Sequence, residues 1–345
     1  MQTYKIGVIG VGVYGCHSLE QALVSNGPGK IVSVCGNDSL GAGCYGDKSD
    51  EEAGNYATKF NAVFHIDWQS VVNDPEVDIV SVMVCPARKA EIICAALRAG
   101  KHVVTDKPLS MTVEEAEAIC LAEKESGKRG FMLAGYHTRP LVKTLIDTIR
   151  VGELGELKAV SMRLCFMGGI FPGFIPSSRW RSEIPAAEML TIGSHAIITL
   201  LKLTDEKVRK VYADRKFNFY EEYHRVNAED WATLNCITAS GIVANIKVGR
   251  IPHRIPGEDI SIEVTGTDGY AQISGDSLKI YPSGKVIQLP VNGGEVLNGT
   301  FSEYYSCLSE GRPMPASFAC GLELQKILAA AIKSAATGMV KEVLP

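Results

Sequence analysis

Lys107, His195 with Thr191, and Gly10, Gly12 and Gly15 have the types and spacing to do chemistry. Lys107 closely follows the short strand pattern at residues 102–105 and precedes a proline, which biases it toward an extended conformation. An amine at a strand end polarises a carbonyl or stabilises an alkoxide; as a surface charge it would do neither. His195, in Leu190-Thr-Ile-Gly-Ser-His195, carries a group that titrates near neutrality and suits proton transfer with a hydroxyl. In an apolar helix it also reads as a packed core histidine. Thr191 lies one helical turn earlier on the same face, where it would orient the ring or a substrate hydroxyl.

Gly10, Gly12 and Gly15 fit G-x-G-x-x-G between an apolar strand and a helix. There the first glycine permits a tight turn, the second lets backbone approach a pyrophosphate, and the third lets helix pack on strand. The phosphates would sit on the helix N-terminus, where free N–H groups and the dipole favour an anion. The cofactor set read from this unit is Gly10, Gly12, Val13, Tyr14 and Gly15, then Asn37 and Asp38 after the second strand, and Cys85, Pro86, Asp106 and Lys107 at later strand ends. No arginine follows the second strand to hold a 2′-phosphate, so of NAD and NADP the residues lean to NAD. For substrate, Tyr136 and His137 beyond the sixth strand, Trp180 and Arg181 with Arg179 beside them, and His195 are the lining candidates. Arg179 and Arg181 read equally as surface ion pairs, and His253 and Arg254 form a second such rim.

The elements that must position these residues change character near residue 135. Up to there, short Val/Ile runs at 4–9, 31–35, 62–64, 79–84, 102–105 and 130–134 alternate with helical periodicity at 87–99 and 113–126. That rhythm predicts βαβ units, with a parallel sheet covered on both faces. Beyond a helix at 141–151, longer alternating strands follow at 158–166, 231–238, 242–248, 259–265 and 270–273, joined by turns such as Thr238-Ala-Ser-Gly241. They predict a mostly antiparallel sheet with an open face. Helices are expected at 186–203 and 321–337, and a glycine-rich loop at 38–50. The fold class is α/β: a Rossmann dinucleotide-binding domain at 1–135 and an α+β substrate and oligomerisation domain at 136–345, its terminal helix packing back on the first. At 345 residues the chain exceeds the roughly 250–300 at which single cores stop growing.

Composition excludes other classes. Hydrophobic residues are 46% and charged residues 21%, and no apolar run approaches the ~20 residues that span a bilayer. The net charge is −4 without a dense Lys/Arg stretch, which removes the electrostatic basis for nucleic-acid binding. The N-terminus leads directly into a strand without a secretory pattern, so a cytoplasmic location is expected. The ten cysteines fall mostly in apolar patterns without a Cys-x-x-Cys pair, and the seven histidines are scattered; free thiols and no dedicated metal site are expected.

Further motifs extend the pattern. Ala99-Gly-Lys-His-Val-Val-Thr-Asp-Lys-Pro108 resembles A-G-K-H-V-x-x-E-K-P with Asp106 for glutamate, and Gly152-Glu-Leu-Gly155 resembles G-x-L-G. Trp180-Arg181, Ile192-Gly-Ser-His195, Glu229-Asp230, Gly266-Thr-Asp-Gly269 and Gly338 follow in order. Over nearly its whole length the chain resembles the glucose-fructose oxidoreductase, inositol dehydrogenase and MocA family of NAD(P)-dependent oxidoreductases. The resemblance implies a Rossmann domain, then a domain whose open sheet forms homodimers or homotetramers, with a polyhydroxy substrate at the cleft. It implies that Lys107 contacts substrate and cofactor and that His195 relays a proton. Against the family's D-x-G-x-H-x-x-D, Thr191 and Ile198 replace the two aspartates, and Ala186 and Ala187 replace the preceding glycines. Without the first aspartate's charge, His195 is expected to be less basic than in such relatives.

The expected activity is hydride transfer between nicotinamide and a carbinol or carbonyl carbon of a sugar, cyclitol or related compound. The lost aspartates also admit a nucleotide sensor of the same fold without turnover. A third reading is a lyase or glycosidase that oxidises its substrate transiently.

Overall fold

A computed structural model describes residues 3–11, 28–36, 49–134, 136–167, 187–216, 219–225, 227–251, 258–289 and 293–344. The chain divides into two compact units: one holds the described residues up to Ala134 together with Gly293–Gln325, and the other the remainder.

In the first unit, β1 (Tyr4–Ile9), β2 (Gly29–Cys35), α1 (Ser49–Phe60), β3 (Val63–His65), α2 (Trp68–Asn73), β4 (Ile79–Val82), α3 (Pro86–Arg98), β5 (His102–Asp106), α4 (Val113–Ser126) and β6 (Gly130–Leu133) follow in sequence. The strands form an all-parallel sheet in the order β3-β2-β1-β4-β5-β6. All four residues of β4 are buried, as are Ile6, Val8 and Ile9 of β1, which explains their continuous apolar spelling. Thr112 and Glu115 cap α4 reciprocally, each satisfying a backbone N–H of the other. The strand order reverses between β1 and β4, so the carboxyl ends of these strands form the switch point where such sheets bind ligands.

The second unit begins with α5 (Pro140–Arg150), β7 (Leu157–Met167), α6 (Ala187–Thr204), β8 (Val208–Lys216), α7 (Glu221–Arg225), β9 (Trp231–Thr238) and β10 (Val243–Ile251). It continues with β11 (Glu258–Gly266), β12 (Tyr270–Ser274), β13 (Ser277–Tyr281) and β14 (Lys285–Gln288). Then come α8 (Gly293–Glu310), which belongs to the first unit, α9 (Phe318–Thr337), and β15 (Lys341–Glu342), which pairs with β8. The nine-stranded sheet runs β14-β13-β12-β11-β7-β10-β9-β8-β15, antiparallel except for the parallel pair β7–β10. Helix α6 lies on β7, β9 and β10 and buries Met189, Leu190, Ile192, Ala196, Ile197 and Leu200.

Residues 293–325, expected with the second domain, group with the first unit. The cause is aromatic: Tyr305 of α8 stacks on Tyr4 at 5.5 Å, and Tyr304 and Phe301 pack against Phe131 at 5.1 and 6.5 Å. The first residues of α9 follow them. Gly130 leaves room for the Phe318 ring, which a Cβ there would approach to 2.0 Å, and Gln325 donates to the Met111 carbonyl at 2.7 Å. From Lys326 onward α9 counts with the second unit, where Ser334 accepts from the Ala213 N–H at 2.9 Å. The strand expected to reach residue 84 ends at Val82. Strand β8 escaped the sequence pattern because a register shift between Val208 and Lys210 breaks its alternation. Cys94, Cys165, Cys236 and Cys307 are free thiols.

Candidate active site

At the switch point of the first unit, Gly10 follows β1 with φ +93°, and its N–H donates to the Cys35 carbonyl at 3.1 Å. A Cβ at Gly10 would lie 2.4 Å from the Met83 carbonyl oxygen, so only glycine allows the chain to turn here against the end of β4. Beyond β4, Cys85 is the N-cap of α3 with no side-chain capping bond to the helix, and Pro86 takes the first helical position. The α3 N-terminus therefore also opens at the carboxyl end of the sheet. Gly12, Val13, Tyr14, Gly15, Asn37 and Asp38 lie outside the described residues.

One strand further, β5 delivers Asp106 and Lys107. Thr105 anchors the strand end by donating to the Val82 carbonyl at 2.7 Å. The Lys107 N–H donates to Asp106 Oδ1 at 2.7 Å and to the Leu133 carbonyl at 3.2 Å, which fixes the backbone that carries the amine. Beneath this turn lies Lys89, only 2% exposed. Its Nζ donates to the carbonyls of Asp106 and of Pro108, the latter at 2.9 Å, and so grips the backbone on both sides of Lys107. Burial pushes the Lys89 ammonium down to about 8, with Lys107 adding to the depression and Asp106 and Cys85 opposing it.

The second unit holds the other group of predicted residues. Thr191 and His195 are one turn apart on α6, Thr191 buried and His195 half-buried. Glu229 supports this helix by accepting from the Met189 N–H at 2.8 Å, satisfying a donor of its first turn. Its neighbour Asp230 accepts from the N–H groups of Phe219 and Tyr220 at 2.7 and 3.0 Å. The Tyr136 ring meets His195 edge-on at 5.5 Å, and its N–H donates to Thr199 Oγ1 at 3.1 Å. The Arg139 guanidinium lies 3.8 Å from the centre of the Tyr136 ring. The structure thus brings Tyr136, Thr191 and His195 onto one face of α6. His137 is buried with neither ring nitrogen hydrogen-bonded, and burial, then Lys202 and Lys143, push it down to about 3. Ile198, at the second aspartate position, is fully buried. Arg179, Trp180, Arg181, His253 and Arg254 lie outside the described residues.

Sequence reasoning missed Lys89 and Glu188. Arg88-Lys89 near a helix start spells a solvated pair, so nothing in the sequence marked Lys89. Glu188 carried a weak signal: a carboxylate one turn before Thr191 in an otherwise apolar helix. It is fully buried and accepts from Thr191 Oγ1 at 2.8 Å, from the Tyr223 hydroxyl at 2.6 Å and from Arg250 Nε at 3.2 Å. Among the described residues no three His, Cys, Asp or Glu side chains gather as a metal site would require, and no helix is long and apolar enough to cross a membrane.

A doubly wound sheet with a glycine turn at its switch point and a rigidly held lysine one strand away, followed on the same chain by a large open mixed sheet, defines a class: the two-unit dinucleotide-dependent oxidoreductases. Comparison with known proteins narrows it. Residues 4–134 match the family model "Oxidoreductase family, NAD-binding Rossmann fold", and residues 142–272 match that of the GFO/IDH/MocA C-terminal domain. The chain belongs to the glucose-fructose oxidoreductase, inositol dehydrogenase and MocA family. It is 26% identical to an inositol 2-dehydrogenase of Salmonella typhimurium, over 79% of this chain and 74% of that protein. With a 1,5-anhydro-D-fructose reductase of Ensifer adhaerens it shares 27% identity over 80% and 82%. Its fold superposes on a levoglucosan dehydrogenase solved with NADH and levoglucosan, with a TM-score of 0.83 at 22% identity, covering 99% and 100% of the two chains.

Proposed function

We propose that the protein transfers a hydride between a nicotinamide dinucleotide and a carbinol or carbonyl carbon of a sugar, cyclitol or related polyhydroxy compound. The observation that carries this reading is the Lys107 turn: a lysine whose backbone is held from below by Lys89 and from within by Asp106, at the carboxyl end of a parallel sheet. The names of the inositol and anhydrofructose relatives support a polyhydroxy substrate.

The residues at the switch point fit a dinucleotide. Gly10 presents bare backbone where a Cβ would collide with Met83, and the α3 N-terminus opens beside it. Gly10, Cys85, Pro86, Asp106 and Lys107, with the glycine turn that continues from Gly10, would hold it. NAD is the better candidate of the two dinucleotides, because no arginine follows β2. Once bound, the nicotinamide supplies the hydride acceptor or donor.

This chain's residues do the rest. Lys107 stabilises the negative charge that develops on the substrate oxygen. His195 takes or returns the hydroxyl proton, its ring steered by Tyr136. We further propose a cytoplasmic enzyme that forms a homodimer or homotetramer through the open sheet of the second unit, to be checked by sedimentation. The activity is tested by incubating the protein with NAD and, separately, NADP across a panel of sugars and cyclitols. Reduction of the dinucleotide is expected, and Lys107→Ala and His195→Ala should each lower kcat about 10²-fold or more. Unchanged turnover in both variants would overturn the roles. Dinucleotide binding without turnover would favour the sensor, and product without net reduction the transient oxidation.

A further inference from the structure

Glu188 answers a question that Thr191 raises. The hydroxyls of Ser194, Thr199 and Thr204 on α6 each donate to the carbonyl four residues back, the usual course for a hydroxyl inside a helix. That of Thr191 donates to Glu188 Oε2 at 2.8 Å. Glu188 is fully buried, and Arg250 Nε, 3.2 Å from Oε1, supplies the opposite charge that a buried carboxylate requires. The Tyr223 hydroxyl fills Oε1 further at 2.6 Å. A carboxylate only accepts hydrogen bonds, and a threonine hydroxyl has a single proton to give. With that proton committed to Glu188, Thr191 Oγ1 meets every other group as an acceptor. At 100° per residue, Glu188, Thr191, His195 and Thr199 fall within an arc of about 80° on α6. The charge therefore lies on the stripe that carries His195, one turn behind Thr191.

We propose that Glu188 is a positioning residue that makes Thr191 an obligate acceptor for a substrate hydroxyl, so that the pair selects a polyol with a donor there. The inference rests on the hydride-transfer reading above. It separates two things an aspartate at residue 191 would combine: the acceptor stays on the helix face that carries His195, and the charge is held one turn behind it. A site built around such an acceptor discriminates against an analogue that lacks the hydroxyl, because that hydrogen bond is then lost. Glutamine at residue 188 would present an N–H to Thr191 and reverse the bond, which turns the threonine hydroxyl outward as a donor.

The test is a double-mutant cycle with the best substrate of the panel. Glu188→Gln and Thr191→Val should each lower kcat/KM about ten- to a hundred-fold, with the double variant no worse than either single one. Both singles should lose the preference for the polyol over its deoxy analogue at the contacted hydroxyl, and Thr191→Ser should retain it. Tyr223→Phe removes a donor from the same carboxylate but keeps the Thr191 bond, so it should lower stability and retain the preference for the polyol over its deoxy analogue. Losses that multiply in the double variant, or a Glu188→Gln enzyme with wild-type preference, would overturn the inference and leave hydride transfer standing. If Glu188→Gln does not fold, Thr191→Val decides alone: retained preference overturns the proposal. A wild-type protein that turns over no member of the panel overturns both readings together.

Discussion

Lys89 holds from below the backbone turn that carries Lys107. Its ammonium is buried and donates to two carbonyls, those of Asp106 and Pro108. Lys89→Met preserves the stem and removes the donor, so both carbonyls lose a charged partner at a cost of roughly 1–3 kcal/mol each. Chemical denaturation should register that loss, and kcat should fall further than KM rises, because the Lys107 turn loosens while the rest of the first unit persists. A variant with wild-type stability would show that the grip is dispensable. The placement of Lys107 just past a strand end and of His195 inside an apolar helix was legible, since both follow from strand and helix patterning. Glu188 was not, because a carboxylate in such a run reads as the solvent edge of the helix until Arg250 and Tyr223, distant in sequence, are found against it.

Among the elements, those readable in sequence are the ones buried on both faces. Strands β1, β4 and β5 spell nearly continuous Val and Ile, and the glycine turn after β1 is dictated by the Met83 carbonyl. Gly10→Ala should therefore weaken dinucleotide binding by more than tenfold, measured by calorimetry, since its φ of +93° and the contact at Met83 both oppose a methyl group. Equal affinity would show that the turn is not the cradle. Helix α8 was illegible for the opposite reason. Its first residues are glycine-rich, and its reason to form is an aromatic face that meets Tyr4 and Phe131 across nearly the whole sequence. Phe131 is 1% exposed, and Phe131→Ala should cost about 3–5 kcal/mol by thermal or chemical unfolding. A loss under 1 kcal/mol would mean that α8 docks without it.

The whole molecule carries an acid weakness in its histidines. His137 and His102 are held neutral by burial, at about 3 and about 4, with neighbouring lysines and, for His102, Arg129 adding to the effect. Each binds a proton more readily in the unfolded chain, where its value is near 6.5. Stability from these groups is complete above pH 6.5 and drains as pH falls toward 4 and then 3, by up to about 1.4 kcal/mol per pH unit for each histidine. Unfolding midpoints should drop steeply over that range, and His137→Phe should blunt the drop. A flat profile would contradict the burial of these rings.

The central claim is that a polyhydroxy substrate and a dinucleotide exchange a hydride here with Lys107 assisting. Its most direct measurement is nicotinamide absorbance during incubation of the wild-type protein and Lys107→Ala with NAD and the sugar and cyclitol panel. A steady rise is expected with at least one panel member, and a rate lower by about 10²-fold or more in Lys107→Ala, with the fold retained. A protein that binds NAD tightly and leaves the absorbance unchanged with every compound would contradict it.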